Sequence, residues 1–131
     1  MIRKAQDSDA AKIASIYQHY VENTSITFEL TPPDEKQMLC RITRYTQKYP
    51  WLIMEVEGEV VGYAYGSKFR EREAYRFSTE ISVYISKENR GKGYGRQLTI
   101  ALLEELKRLN LIKVEYTRGI SHIGILYYDS F

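Results

Sequence analysis

The sequence predicts a mixed α/β domain, and three observations carry that expectation. Short β-prone runs alternate with segments whose apolar residues recur at three- and four-residue spacing. A glycine-containing connection joins two of the β-prone runs as a hairpin would, and another run leads directly into a glycine-rich helix start. The order read along the chain is β, α, α, β, β, β, α, β. With no internal repeat or low-complexity linker, residues 1–131 are expected to form a single domain.

Ile2 to Ala5 reads as a short strand. Asp7, Ser8 and Asp9 then offer capping side chains to a helix whose apolar face is Ile13, Ile16, Tyr17, Tyr20 and Val21. A polar, β-prone stretch from Glu22 to Leu30 runs to Thr31-Pro32-Pro33, where proline's fixed φ suits a helix start. Met38, Leu39, Ile42 and Tyr45 recur at helical spacing, and this second helix is expected to end near Tyr49-Pro50. Trp51 to Val56 and Val60 to Ser67 are strands joined by Glu57-Gly58-Glu59, and they should pair antiparallel. Lys68 to Ala74 is a charged loop and Tyr75 to Ile85 a strand. Gly91 to Gly95 opens a helix with Leu98, Ala101, Leu102, Leu106 and Leu109 on one face, and Leu111 to Thr117 is a further strand.

Charge narrows the partners little: 19 basic and 17 acidic residues are interspersed, so no polybasic stripe proposes nucleic acid or an anionic membrane. The N-terminus turns polar at once, and no apolar run approaches the ~20 residues that span a bilayer, so a cytoplasmic protein is expected. Cys40 has no cysteine partner, which suits a reducing compartment, and it reads as a small buried apolar residue. His19 and His122 read as packing or surface residues, and no metal is expected.

The chemistry concentrates between Glu80 and Arg96. A strand ends near Ile85, a short polar loop follows, and Gly91, Gly93 and Gly95 alternate at a helix N-terminus flanked by Arg90, Lys92 and Arg96. The first amides of a helix lack intrahelical partners and carry partial positive charge, and glycine lets an anion approach the backbone closely. A pyrophosphate fits such a place without a metal. The Walker pattern would need Gly-Lys followed by Ser or Thr, which Gly95-Arg96-Gln97 does not supply. The dinucleotide fingerprint has a different glycine spacing and belongs near a first strand.

Arg90-Gly91-Lys92-Gly93-Tyr94-Gly95 resembles the Gln/Arg-x-x-Gly-x-Gly/Ala signature of the GNAT superfamily of acetyl-CoA-dependent N-acetyltransferases. Further runs, among them Ile16-Tyr17, Thr27-Phe28-Glu29, Gly62-Tyr63-Ala64-Tyr65 and Ser82-Val83-Tyr84, resemble phosphinothricin N-acetyltransferases and related amino-acid N-acetyltransferases. The resemblance covers roughly Ile2 to Lys113. It implies a mainly antiparallel sheet with helices on both faces, with acetyl-CoA as co-substrate. It also implies transfer of acetyl to the amine of a small amino-acid-like acceptor of the phosphinothricin, methionine sulfone or sulfoximine type, by direct attack in a ternary complex. Backbone groups of Val83, Tyr84 and Ile85 match the strand that pairs with the pantetheine arm, and the amides of Arg90, Gly91, Lys92, Gly93, Tyr94, Gly95 and Arg96 match the pyrophosphate cradle. Glu80 matches the candidate general base; an amine attacks a thioester only with its lone pair free. A backbone N–H near Val83 would serve the oxyanion. Arg72, Glu73, Ala74 and Tyr75 match the acceptor-binding segment, and the planar guanidinium of Arg72 suits a carboxylate or phosphinate. Phe28 and Tyr65 are either pocket wall or core.

Strict alternation puts Glu80 with Ser82 and Tyr84 on one face and Ile81, Val83 and Ile85 on the other; a β-bulge, common in the superfamily here, would shift that register. From Val114 to Phe131 the sequence departs from the family, whose last strands have no counterpart, so an exposed sheet edge is expected. Leu126-Tyr127-Tyr128 resembles the Leu-Tyr or Leu-His of a family helix, which makes Tyr127 the candidate acid for the departing thiolate. A homodimer is one way to cover the missing surface. The competing readings are a non-catalytic acetyl-CoA-binding module and a protein N-terminal acetyltransferase.

Overall fold

The computed structural model describes residues 1–23, 31–68, 79–109, 114–117, 120–123 and 125–130. Its elements are β1 (Ile2–Lys4), α1 (Ala10–Asn23), α2 (Glu35–Tyr45), β2 (Trp51–Val56), β3 (Glu59–Lys68), β4 (Thr79–Ile85), α3 (Tyr94–Arg108), β5 (Val114–Thr117), β6 (Ile120–Ile123) and β7 (Ile125–Ser130). Five strands form one sheet in the order β1-β2-β3-β4-β7, and β5 and β6 form a separate antiparallel ribbon. All pairings in the main sheet are antiparallel except β4 with β7, which is parallel.

Both faces of the sheet carry helices, as a mixed α/β chain requires. On one face Ile13, Tyr17 and Tyr20 of α1 and Met38 and Ile42 of α2 pack on Trp51, Ile53, Tyr63 and Tyr84. On the other, Leu98, Leu102 and Leu106 of α3 are fully buried against Ile81, Val83 and Ile85. Burying each of these leucines stabilises the fold by roughly 2 kcal/mol. Leu109, expected on the same stripe, is 40% exposed because it lies at the helix C-cap, past the last turn that faces the sheet. Cys40 is also exposed rather than buried. It lies two residues from both Met38 and Ile42, so their inward positions turn it away from the core.

Local signals explain the helix ends. Asp34 caps α2: its carboxylate accepts the Gln37 N–H at 2.8 Å, and the Gln37 side chain accepts the Asp34 N–H at 2.9 Å. This reciprocal box, rather than Pro32 or Pro33, sets the start. The helix stops at Tyr45, short of the expected Tyr49, where the Thr46 hydroxyl donates to the Ile42 carbonyl at 2.6 Å. The hairpin between β2 and β3 turns through Glu57 and Gly58, at φ 52° and 78°, the left-handed pair that a two-residue hairpin loop favours. Above it Trp51 and Tyr65 stack with ring centroids 4.1 Å apart, continuous with Tyr45 and Tyr63, so Tyr65 belongs to core packing. Phe28 lies outside the described residues.

The bulge is found on β3, not on β4. Pairing jumps from Met54↔Gly62 to Glu55↔Val60, leaving Val61 as the extra residue. Val61 therefore packs on the α3 side, as a Gly62 side chain also would. β4 keeps an unbroken register against β3, from Lys68↔Thr79 to Gly62↔Ile85. At the other end of the chain, Leu126, Tyr127 and Tyr128 lie in strand β7 rather than in a helix. The backbone of β7 pairs with β4 from Thr79 to Tyr84, along the side where an exposed edge was expected.

Candidate active site

The site is assembled where β4 ends. The Ser86 N–H donates to the Val61 carbonyl at 2.8 Å, which ties the residue after the strand to the β3 bulge. Asn89 then closes a short turn: its N–H reaches the Ser86 carbonyl at 2.9 Å, and its side-chain amide donates to the Ser86 hydroxyl at 2.7 Å. Its other amide atom accepts the Lys92 ammonium at 3.3 Å. Gly91 and Gly93 follow at φ 78° and 84°, in the left-handed region that side chains other than glycine rarely adopt. α3 begins at the next residue, Tyr94.

Gly93 has no side chain to cap the first amides of α3, and a cavity of about 310 Å³ lies against them. Ile85, Asn89, Gly91, Gly93, Tyr94, Gly95 and Arg96 line it. A Cβ at Gly91 or Gly93 would meet nothing within 4 Å, so the backbone there is open to a ligand. Exposed Arg90, Lys92 and Arg96 add positive charge to that of the helix terminus. The arrangement suits a phosphate or pyrophosphate group, and the apolar end at Ile85 suits a chain attached to it. Among the described residues, no group of three His, Cys, Asp or Glu side chains could hold a metal ion, and no helix is long and apolar enough to cross a membrane.

The structure brings Ile85, Gly91, Gly93, Tyr94, Gly95 and Arg96 together around this cavity, with Arg90 and Lys92 exposed in the same loop. It treats the other predicted residues differently. Val83 and Tyr84 lie between two paired strands, opposite Ala64 and Tyr63 on β3 and opposite Asp129 and Ser130 on β7. Glu80 lies opposite Ser67 and Leu126, whereas Tyr127 lies opposite Ile81. Arg72, Glu73, Ala74 and Tyr75 lie outside the described residues. His19 packs edge-on against Tyr20 at 5.1 Å, and His122 lies opposite Glu115 in the separate ribbon. Burial holds the Tyr63 phenol well above its ordinary value, with neighbouring tyrosines adding to it, so it stays protonated within the core. Asn89 is the lining residue that sequence reasoning missed; its signal is Ser86-x-x-Asn89, a polar pair at turn spacing just before the glycines.

Residues 2–118 match the family model described as the acetyltransferase (GNAT) domain. Phosphinothricin N-acetyltransferase of Alcaligenes faecalis is 39% identical over 103 residues, 78% of this chain and 52% of that protein. An L-methionine sulfoximine/L-methionine sulfone acetyltransferase of Pseudomonas aeruginosa is 38% identical over 112 residues, 84% of this chain and 65% of that protein. A GNAT superfamily phosphinothricin acetyltransferase from Sinorhizobium meliloti, solved in complex with acetyl-CoA, superposes with a TM-score of 0.76 at 32% identity, covering 94% of this chain and 83% of that one. The chain spans between about half and two thirds of the length of the curated relatives it matches. A signature at the start of α3, the sheet that carries it and a match over most of the sequence agree: the chain belongs to the GNAT acetyltransferase family.

Proposed function

We propose that the chain is a single acetyltransferase domain that binds acetyl-CoA and transfers its acetyl group to the amine of a small amino-acid-like acceptor, of the phosphinothricin or methionine sulfoximine type. The observation that carries this reading is the cavity at the start of α3, with left-handed Gly91 and Gly93 beneath it and Arg96 on its wall. In this reading the amides from Gly91 to Arg96 hold the pyrophosphate and the backbone from Val83 to Ile85 guides the arm. Glu80 accepts a proton from the acceptor ammonium, a backbone N–H near Val83 serves the oxyanion, and the segment Arg72–Tyr75 orients the acceptor. Tyr127 is the donor for the departing thiolate. The chain acts in the cytoplasm, consistent with its single unpaired cysteine, and as a homodimer, which light scattering would check.

One observation favours the second reading, a non-catalytic acetyl-CoA-binding module. β7 covers β4 as far as Tyr84, leaving only Ile85 of the three backbone positions beyond the last pair. Thiol release from acetyl-CoA, followed across amino acids, their analogues and peptides with free N-termini, separates the readings. Turnover with a small amino acid supports the first, and turnover with peptides alone moves the acceptor to protein N-termini. Tight acetyl-CoA binding without release on any acceptor leaves the binding module. Glu80→Gln should lower kcat by about a hundredfold or more and leave the acetyl-CoA Kd within about twofold.

A further inference from the structure

Tyr20 lies on α1, outside the signature, and is fully buried. Its hydroxyl donates to the carbonyl of Ile85, a residue 65 positions away and the last of β4. Its ring packs against that of Tyr84 at 5.2 Å, and the guanidinium carbon of Arg90 lies 5.8 Å from the same ring, within cation–π range. One side chain therefore touches both ends of the cleft: the strand end beside the cavity and the first residue of the glycine loop.

The backbone around Ile85 shows why this matters. The Ser86 N–H is taken by Val61, and the Ile85 carbonyl by Tyr20, so the final peptide of the strand is held from β3 and from α1 at once. Without the hydroxyl, that buried carbonyl would lose its partner and the strand end would be free to turn toward water. The loop would remain, because Ser86, Asn89 and Lys92 hold it independently.

We infer that Tyr20 is a positioning residue that sets the distance between the strand end and the glycine loop, and so matters most for a ligand that spans both. The inference rests on the acetyl-CoA reading of the site. A ligand confined to the loop needs only the amides of α3, whereas one carrying the pantetheine arm also needs Ile85 in place.

Two ligands separate these demands: acetyl-CoA, and adenosine 5′-diphosphate 3′-phosphate, which keeps the pyrophosphate but lacks the arm. Calorimetry on Tyr20→Phe, which retains the ring beneath Arg90, should show acetyl-CoA binding weakened about tenfold, the worth of one buried hydrogen bond. Binding of the fragment should stay within about twofold of wild type. Equal weakening of both ligands, or of neither, overturns the assignment. If wild type binds neither ligand, it is the acetyl-CoA reading that fails. A second measurement uses wild type alone and does not depend on the variant folding. Hydrogen exchange in the α1 peptide containing Tyr20 should slow with acetyl-CoA and not with the fragment. No difference between the two ligands overturns the inference.

Discussion

Gly93 and Gly58 share a backbone conformation, at φ 84° and 78°, and a Cβ at either would enter open space. They differ only in where they stand, one at the start of α3 and the other in the β2–β3 turn. Alanine at either position takes on a left-handed cost of about 1 kcal/mol, and thermal unfolding should register similar losses for the two. Only at Gly93 does the new methyl enter the cavity where an anion would lie. Gly93→Ala should weaken acetyl-CoA binding by roughly tenfold or more, and Gly58→Ala should leave it unchanged. Equal affinities for the two variants would remove the loop from the site. This contrast also shows why the loop was legible in sequence: left-handed glycines before a helix are a local device, written in adjacent residues. Asn89 was less visible because its partners, the Ser86 hydroxyl and the Lys92 ammonium, emerge only when the turn closes.

At the scale of elements, α3 approaches the sheet closely at Gly62. A Cβ there would lie 2.5 Å from Ile85 Cδ1, 3.0 Å from the Tyr84 carbonyl and 3.4 Å from Leu98 Cδ1. Ile85 and Leu98 are buried and cannot swing away, so Gly62→Ala should destabilise the fold by about 1–3 kcal/mol in denaturant unfolding. Ile85→Val removes the nearest of those atoms. The double variant should then be less destabilised than the sum of the singles, and strict additivity would argue against the contact. Hairpin β2–β3 and the stripes of α1 and α3 were readable because strand and helix periods repeat within a few residues. The bulge at Val61 was not, since it exists only in the register of β3 against β2 and appears in sequence as one more valine. Nor was β7: Ile125 to Tyr128 are as apolar as a helix face, and what decides their state is the neighbouring side of β4, far away in sequence.

Across the whole molecule, Arg3 joins three parts of the chain that surround the first core layer. Its guanidinium meets both oxygens of Asp9 at 2.8 Å, in the turn leading into α1, and Glu55 of β2 at 3.1 Å. Asp9 also accepts the Gln6 N–H at 2.7 Å, and its side chain is only 6% exposed. The hydrogen bond from Arg3, followed by that from Gln6, holds the Asp9 carboxyl below its ordinary value against the opposing effect of burial. A carboxyl with a lowered folded-state value binds its proton more readily in the unfolded chain. Its contribution is therefore complete above the unfolded value of about 4 and is lost as pH falls through the folded one. Asp9→Asn keeps the shape but leaves the partly buried Arg3 guanidinium with Glu55 as its remaining carboxylate partner, and should cost about 2 kcal/mol at pH 7. Urea unfolding from pH 7 down to pH 2 provides the check. Wild type should lose its advantage over the variant only below about pH 4, so that the two curves converge in acid. A gap that stayed constant across that range would mean that Asp9 acts by shape alone.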